Sequence, residues 1–378
     1  MRCDTVFMNS IDRSTANTVD EVRIPLQAIK GRGAATRLAH RFEKDQREAF
    51  DDGWEADAEE GAEARPPTQV IWETAKSIIA SNDSPDIHFD RSVNPYRGCE
   101  HGCIYCYARP THSYLNLSPG LDFETKIIAK RNCVELLRQE LGRRGYVPQL
   151  LAIGTVTDCY QPVERELRLT RGLIEVMHET RHPFVLVTKS SGVERDLDLI
   201  APMAAHGLAA VYVTITTLDA ELSRKLEPRA AAPHRRLRTL RTLAEHGVPC
   251  GVSLAPQIPF LNEDMEQVLE AAWDAGAREA FYHVVRLPWE VAPLFRQWLE
   301  VHYPQRAERV MHRIQEMRGG KDYDSDFATR MKGSGTWATL IGQRFRKTAD
   351  RLGFNAKRHA FPTTEFRPPA PPGQGTLF

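Results

Sequence analysis

The stretch 149-QLLAIGTVTDCYQPVERELRLTRGLIEVMHETRHPFVLVTK-189 reads as a strand, a helix and a second strand. Its ends, 149–157 and 184–189, are short apolar, β-branched runs closed by polar breaks, while 163–180 repeats apolar residues at helical spacing. The strand segments are apolar at successive positions, as strands covered on both faces are. That pattern predicts a buried parallel sheet with helical crossovers. The alternation continues through 210-AVYVTIT-216, 236-RLRTLRTLAEHG-247, 250-CGVSLAP-256 and 280-AFYHVVR-286, with Gly247 as a helix stop. An α/β fold is therefore expected, and an open doubly wound sheet and a barrel both satisfy the period.

The chain has 378 residues, of which 42% are hydrophobic and 26% charged, so it can bury one large core with smaller attachments. Its formal net charge is +0, which removes the global basic field that draws a protein onto nucleic acid and leaves only local patches for such contact. The start lacks a signal-like apolar run and no later stretch has the roughly 18–20 apolar residues of a membrane span. With seven cysteines, four of them (Cys3, Cys133, Cys159, Cys250) isolated in sequence, reduced thiols fit better than a disulfide framework, and a cytoplasmic location with no membrane partner is expected.

Residues 1–66 are charge-blocked, basic around Lys30 to Arg41 and acidic from Asp51 to Glu63, and predict a flexible charged leader. A core domain is expected over 67–290. After 287 helical patterns take over, as in 293–304 and 307–320, so 291–378 is expected as a helical C-terminal extension with a Pro-rich tail from 367.

The most specific chemistry lies in 92-SVNPYRGCEHGCIYCYARPTH-112, where Cys99, Cys103 and Cys106 stand at C-x3-C-x2-C spacing. Thiolates this close can converge on one metal centre, and Gly98 and Gly102 permit the wrapping of the loop. Three cysteines can hold three irons of a [4Fe–4S] cube and leave the fourth open. A zinc site using the same cysteines with His101 or His112 is the alternative, against which stands the lack of a second C-x2-C pair.

The triplet, with Tyr105 before its last cysteine, resembles the radical S-adenosylmethionine superfamily, and the resemblance runs over about 92–290. It is nearest to the spore photoproduct lyase-like branch and its uncharacterised bacterial relatives. The resemblance implies a partial (β/α)6 TIM-like barrel with the cluster loop at 94–107 and chemistry at the strand C-termini. It also implies a [4Fe–4S] cluster on Cys99, Cys103 and Cys106, with S-adenosylmethionine cleaved to a 5′-deoxyadenosyl radical. Carried over residue by residue, it implies that Tyr105 flanks the adenine, Thr157 and Asp158 meet the methionyl amino group, Lys189 meets the carboxylate, and Thr214 or Thr216 the ribose hydroxyls.

On the substrate side the branch implies a hydrogen-atom relay for Tyr107. The branch's hydrogen-donor cysteine falls here near Thr155, a departure, with Cys159 four residues on as the candidate donor. The remaining expectations are a reductant such as flavodoxin or ferredoxin, His112 as proton donor or polar anchor, and a nucleic-acid lesion as substrate by analogy. The basic segment 224–241, including Arg235 and Arg236, reads first as a solvated helical face paired with Glu221, Glu227 and Glu245, with phosphate contact as the alternative. A second reading from another class is a non-catalytic zinc- or cluster-binding module that recruits partners through the leader.

Overall fold

The structure is a computed structural model that describes residues 26–43 and 66–370. Six strands run parallel in chain order: β3 (Arg91–Val93), β6 (Leu151–Ile153), β7 (Phe184–Thr188), β8 (Ala209–Thr214), β9 (Cys250–Gln257) and β10 (Glu279–Val284). The short β2 (Ile79–Ser81) adds antiparallel to β3 at one edge, and β10 forms the other. This order fits the partial barrel that the resemblance implied and that the alternation alone had left open. Its helix-facing side is made by Leu151, Ile153, Phe184, Leu186, Val211 and Val252, all without solvent exposure, in one core with the crossover helices.

Those helices are α4 (Leu169–Thr180), α5 (Leu197–Ala205), α7 (Pro233–Glu245) and α8 (Met265–Asp274). The expected helix 163–180 is split at Arg168, which adopts φ +51° and leaves the short α3 (Glu164–Leu167) before α4. The Glu164 carboxylate explains the break. Buried behind the turn, it accepts the amides of Thr170 (3.1 Å) and Arg171 (3.3 Å) at the start of α4, where a negative charge suits the helix dipole.

The strand expected over 149–157 is also shorter, because Gly154 turns the chain at φ +84°. A Cβ there would overlap the Val187 carbonyl oxygen, so only glycine lets the chain leave β6 this close to β7. The residues after it are thereby swung over the strand C-termini.

Beside the barrel, β5 (Lys126–Lys130) pairs with β1 (Gln69–Glu73) in parallel and with β4 (Tyr96–Arg97) antiparallel, a small sheet the sequence pattern did not indicate. In the chain β5 runs between α1 (Leu121–Thr125) and α2 (Cys133–Leu141). The sheet's β4 carries the chain straight into the cysteine loop. On the far side α9 (Val291–His302), α10 (Ala307–Glu316) and α11 (Gly335–Leu352) follow β10. Ala338, Ile341 and Phe345 of α11 lie in the main core, so this helix shares the barrel's apolar interior.

One expectation is corrected in part. Residues 1–25 and 44–65 of the leader lie outside the described residues, as does 371–378 of the tail. Residues 26–43, however, are not a loose leader: they form a strap across the cysteine loop, with Arg32, Ala34 and His40 buried. Composition missed this because the strap is held by backbone amides and ion pairs, with little apolar area. Among the described residues no helix is long and apolar enough to cross a membrane.

Candidate cofactor site

The cysteine loop emerges from β4 and is fixed before any metal is considered. Gly98 (φ +81°) and Gly102 (φ +67°) supply the left-handed turns between which Cys99 sits. A Cβ on Gly98 would stand 2.8 Å from the His112 ring, so the first turn tolerates no side chain. The Cys99 amide donates to the Phe123 carbonyl (2.9 Å) and the Ile104 amide to that of Leu226 (3.1 Å).

Arg109, fully buried, is the main brace. It donates to the carbonyls of Gly102 (3.0 Å), Cys103 (2.9 Å), Pro119 and Gly120 (both 3.1 Å) and pairs with Glu124 at 2.5 Å. Glu124 in turn accepts the Gly33 (3.0 Å) and Ala34 (2.9 Å) amides of the strap. Gly33 passes so close to Gly102 that a Cβ would overlap the Gly102 carbonyl oxygen. On the inner side Glu100 accepts Thr68 Oγ1 (2.6 Å) and the Val163 amide (2.5 Å), with Arg229 at 3.1 Å.

Cys99 and Cys103 are nearly buried and Cys106 is half-buried. Burial, then the neighbouring negative groups, pushes the Cys99 thiol well above its usual range; burial first of all pushes Cys103 up to about 12. A buried thiol of this kind ionises only with a compensating positive centre, which iron provides. Cys99 lies close enough to Cys103 and Cys106 for their charges to be felt, and three thiols at this short spacing suit a polynuclear cluster, in which each takes its own iron.

The histidines weighed as zinc ligands are engaged elsewhere. His101 Nδ1 lies 3.2 Å from Asp158 Oδ2, and His112 Nε2 donates to the Lys126 carbonyl at 3.0 Å. Burial pushes His112 down to about 4, so it is neutral near pH 7 and is a polar anchor, not a proton donor. Because its ordinary value is 6.5, the unfolded chain binds this proton first, and His112 makes the fold less stable as pH falls from 6.5 towards 4. The urea midpoint is expected to drop between about pH 7 and pH 5, and to drop less in His112→Asn; equal slopes would remove His112 from the account.

Around the loop, the strand ends bring Tyr105, Lys189 and Thr216 together. Tyr105 hydroxyl donates to Glu227 and lies 3.4 Å from Thr216 Oγ1, and Lys189 Nζ stands 5.9 Å from the Tyr105 ring centroid. Burial acts to lower the Lys189 pKa, but the negative groups near it, Cys103, Glu227 and Asp158, outweigh this and hold it charged. Thr157 and Thr214 are buried at their strand ends, Thr157 with a long contact (3.4 Å) to the Tyr96 carbonyl.

Asp158 does not stand as an open acceptor. Its carboxylate receives Thr188 Oγ1 (2.7 Å), the Lys189 amide (2.7 Å) and the Tyr160 amide (2.9 Å), and faces His101. Burial would raise its pKa, but His101 and these bonds hold it well below the usual carboxylate range. The carboxylate thus braces β6 to β7 and to the cysteine loop, with no direction left for an ammonium group. Cys159 is likewise corrected as a candidate donor: it is fully buried in the main apolar core, with Sγ 4.0 Å from the Val187 carbonyl.

The mouth is lined by rings. Tyr107, 45% exposed, bonds the Thr155 carbonyl through its hydroxyl and lies under Arg286 (4.5 Å to the ring centroid). Burial still raises its pKa, as for a side chain inside an open hollow. In a separate group Trp289 (61% exposed) and Tyr114 (67%) flank the Arg41 guanidinium at 4.4 and 5.3 Å, with Phe42 at 4.8 Å. Glu290 holds Arg41 through both oxygens.

In the basic segment 224–241, Arg235 binds both oxygens of Glu194 (2.6 and 2.7 Å), and Arg236 is buried against Glu227. These two arginines are therefore committed to carboxylates, against the alternative of phosphate contact through them. Sequence reasoning missed Glu227 by reading it as part of a surface helix. The signal was available: an acid at a helix C-terminus, just before Pro228, opposes the helix dipole and needs another partner.

Residues 93–272 match the family model of the radical SAM superfamily. An uncharacterized protein of Mycobacterium tuberculosis is 36% identical over 224 residues, covering 58% of this chain and 66% of that protein. One of Methanocaldococcus jannaschii is 26% identical over 245 residues, covering 65% of this chain and 88% of its own. The chain thus spans just under two thirds of the mycobacterial relative. Among solved structures, a cysteine-to-serine mutant of spore photoproduct lyase superposes with a TM-score of 0.51 at 16% identity, covering 75% of this chain and 80% of that one. At that identity the likeness bears on the fold.

Proposed function

Residues 93–272 of this chain belong to the radical S-adenosylmethionine superfamily, and from that premise we propose that the protein is an enzyme that holds a [4Fe–4S] cluster on Cys99, Cys103 and Cys106. The observation that carries this reading is the braced loop of three neighbouring thiols, two buried and one half-buried, beside the six parallel strands. The other described cysteines, Cys133, Cys159 and Cys250, are sequestered in the main core, so among the described residues no fourth thiolate competes for the last iron.

When bound and reduced, the cluster supplies one electron to the sulfonium of S-adenosylmethionine, releasing a 5′-deoxyadenosyl radical. The chain's own residues receive and orient the cofactor. Lys189, charged and with no hydrogen-bond partner for Nζ among the described residues, suits the carboxylate. Tyr105 offers a ring held from its hydroxyl end, and Thr157, Thr214 and Thr216 offer hydroxyls at the strand ends. Tyr107, directly after Cys106 and 45% exposed, is the group we assign to hydrogen-atom exchange with substrate.

The test is anaerobic reconstitution with iron and sulfide. About four irons per chain, and S-adenosylmethionine cleavage on reduction by flavodoxin or ferredoxin, are expected; stoichiometric zinc without cleavage would overturn the reading.

For substrate, a nucleic-acid lesion is favoured by the exposed rings Tyr107, Tyr114 and Trp289 with Arg41 and Arg286, since such surfaces stack bases in any sequence. Trp289→Ala is expected to weaken binding of single-stranded oligonucleotides roughly 5- to 150-fold, the worth of one stacked base. Arg235→Ala is expected to leave that affinity unchanged. No oligonucleotide binding, or an unchanged affinity in Trp289→Ala, would turn the search to other ring-bearing substrates.

A further inference from the structure

One buried carboxylate gathers the cofactor-facing residues. Glu227, at the end of α6 (Ala220–Leu226), is 2% exposed and accepts on one oxygen both the Tyr105 hydroxyl and Thr216 Oγ1, the latter at 2.6 Å. Its other oxygen takes Arg236. Arg236, 1% exposed, places its other N–H groups on the carbonyls of Thr214 (3.0 Å) and Ala231 (2.6 Å). One ion pair thus ties together the aromatic beside the last cysteine, the end of β8 and the start of α7.

The pair is a poor source of stability. Two charges taken out of water cost about as much as their attraction returns, and a well-packed apolar pair would serve as well. What an apolar pair cannot do is fix a tyrosine hydroxyl and a threonine hydroxyl on one acceptor. Without Glu227, the buried Tyr105 hydroxyl would have only the long Thr216 contact, and the Thr216 hydroxyl would be free to rotate.

We propose that Glu227, held by Arg236, is a positioning residue for S-adenosylmethionine: it sets the Tyr105 ring and the Thr216 hydroxyl in the orientation that receives the adenosine moiety. The proposal rests on the reading that this loop holds the cluster and that Tyr105 flanks the adenine. Glu227 acts through Tyr105 and Thr216 and touches no reacting atom.

The experiment compares wild type, Glu227→Gln and Tyr105→Phe after anaerobic reconstitution, reading iron content, S-adenosylmethionine affinity by equilibrium dialysis, and the change in the reduced cluster's EPR spectrum on adding the cofactor. Glu227→Gln is expected to keep its iron, to bind the cofactor about 10- to 100-fold more weakly, as for loss of a charged hydrogen bond, and to show a smaller EPR change. Tyr105→Phe, which leaves the ion pair intact, is expected to weaken binding in the same direction, and the double variant to lose less than the two effects combined. Full iron with wild-type affinity and EPR change in both variants overturns the proposal. If Glu227→Gln loses its iron, Tyr105→Phe decides alone: weakened binding supports the proposal and unchanged binding overturns it. A wild-type protein that takes up no cluster or cofactor instead overturns the underlying reading.

Discussion

Cys103→Ala, reconstituted anaerobically, is expected to bind less than one iron per chain and to cleave no S-adenosylmethionine above background, and Cys99→Ala and Cys106→Ala are expected to do the same. Each thiolate takes its own iron, so removing one leaves a cube with two protein anchors in a loop that has no spare ligand. His101 faces Asp158 and His112 Nε2 donates to the Lys126 carbonyl, so each ring is already held in place by a partner. Cys250→Ala is the matched control. Cys250 is also buried, with a thiol that burial raises to about 12, but it lies on β9 in the main core, and its loss is expected to leave about four irons per chain. Iron retained in Cys103→Ala, or lost in Cys250→Ala, would contradict the assignment.

The second large effect is structural. Glu124→Ala strips the partner from Arg109, which has no exposure and cannot turn to water. Leaving a buried guanidinium uncompensated costs about 3–5 kcal/mol, and the loss also frees the Gly33 and Ala34 amides of the strap. At about 2–4 °C per kcal/mol for a domain of this size, the apoprotein is expected to melt roughly 6–20 °C lower by differential scanning calorimetry. Limited proteolysis should cut first within 26–43. Glu166→Ala, an exposed change on α3, away from the Arg109–Glu124 pair, is expected to stay within about 0.5 kcal/mol. Similar melting of both variants would mean that the Arg109–Glu124 pair does not brace the loop.

What the sequence disclosed follows from the range of the forces involved. The strands at 184–188 and 250–257 were legible because their apolar, β-branched runs carry the signal locally, and the cysteine triplet stood out because its thiols are near neighbours in the chain. Lys189 and Thr216 were legible once the strand ends were placed. Arg109, Glu124 and Glu227 were not, since each works through partners that only the folded chain brings near. Glu227, for example, meets Tyr105 across 122 positions. The position of Asp158 after β6 was readable, whereas the Thr188, Lys189 and His101 groups around its carboxylate were not. That the basic segment would be paired was readable from its nearby acids, but not that Arg235 would take Glu194, 41 positions away.

The strap over the cysteine loop separates two units usually treated as one. The segment that matches the family model begins at residue 93, but Gly33 and Ala34 lie against Gly102 and Glu124, and further along Thr36 meets Gln297 and Arg41 meets Glu290 beside the C-terminal helical region. The shortest inherited piece is therefore not the shortest piece that can stand alone. A boundary drawn from likeness would cut away both the first clasp and its anchor, and leave the metal-binding loop as an open end of the polypeptide.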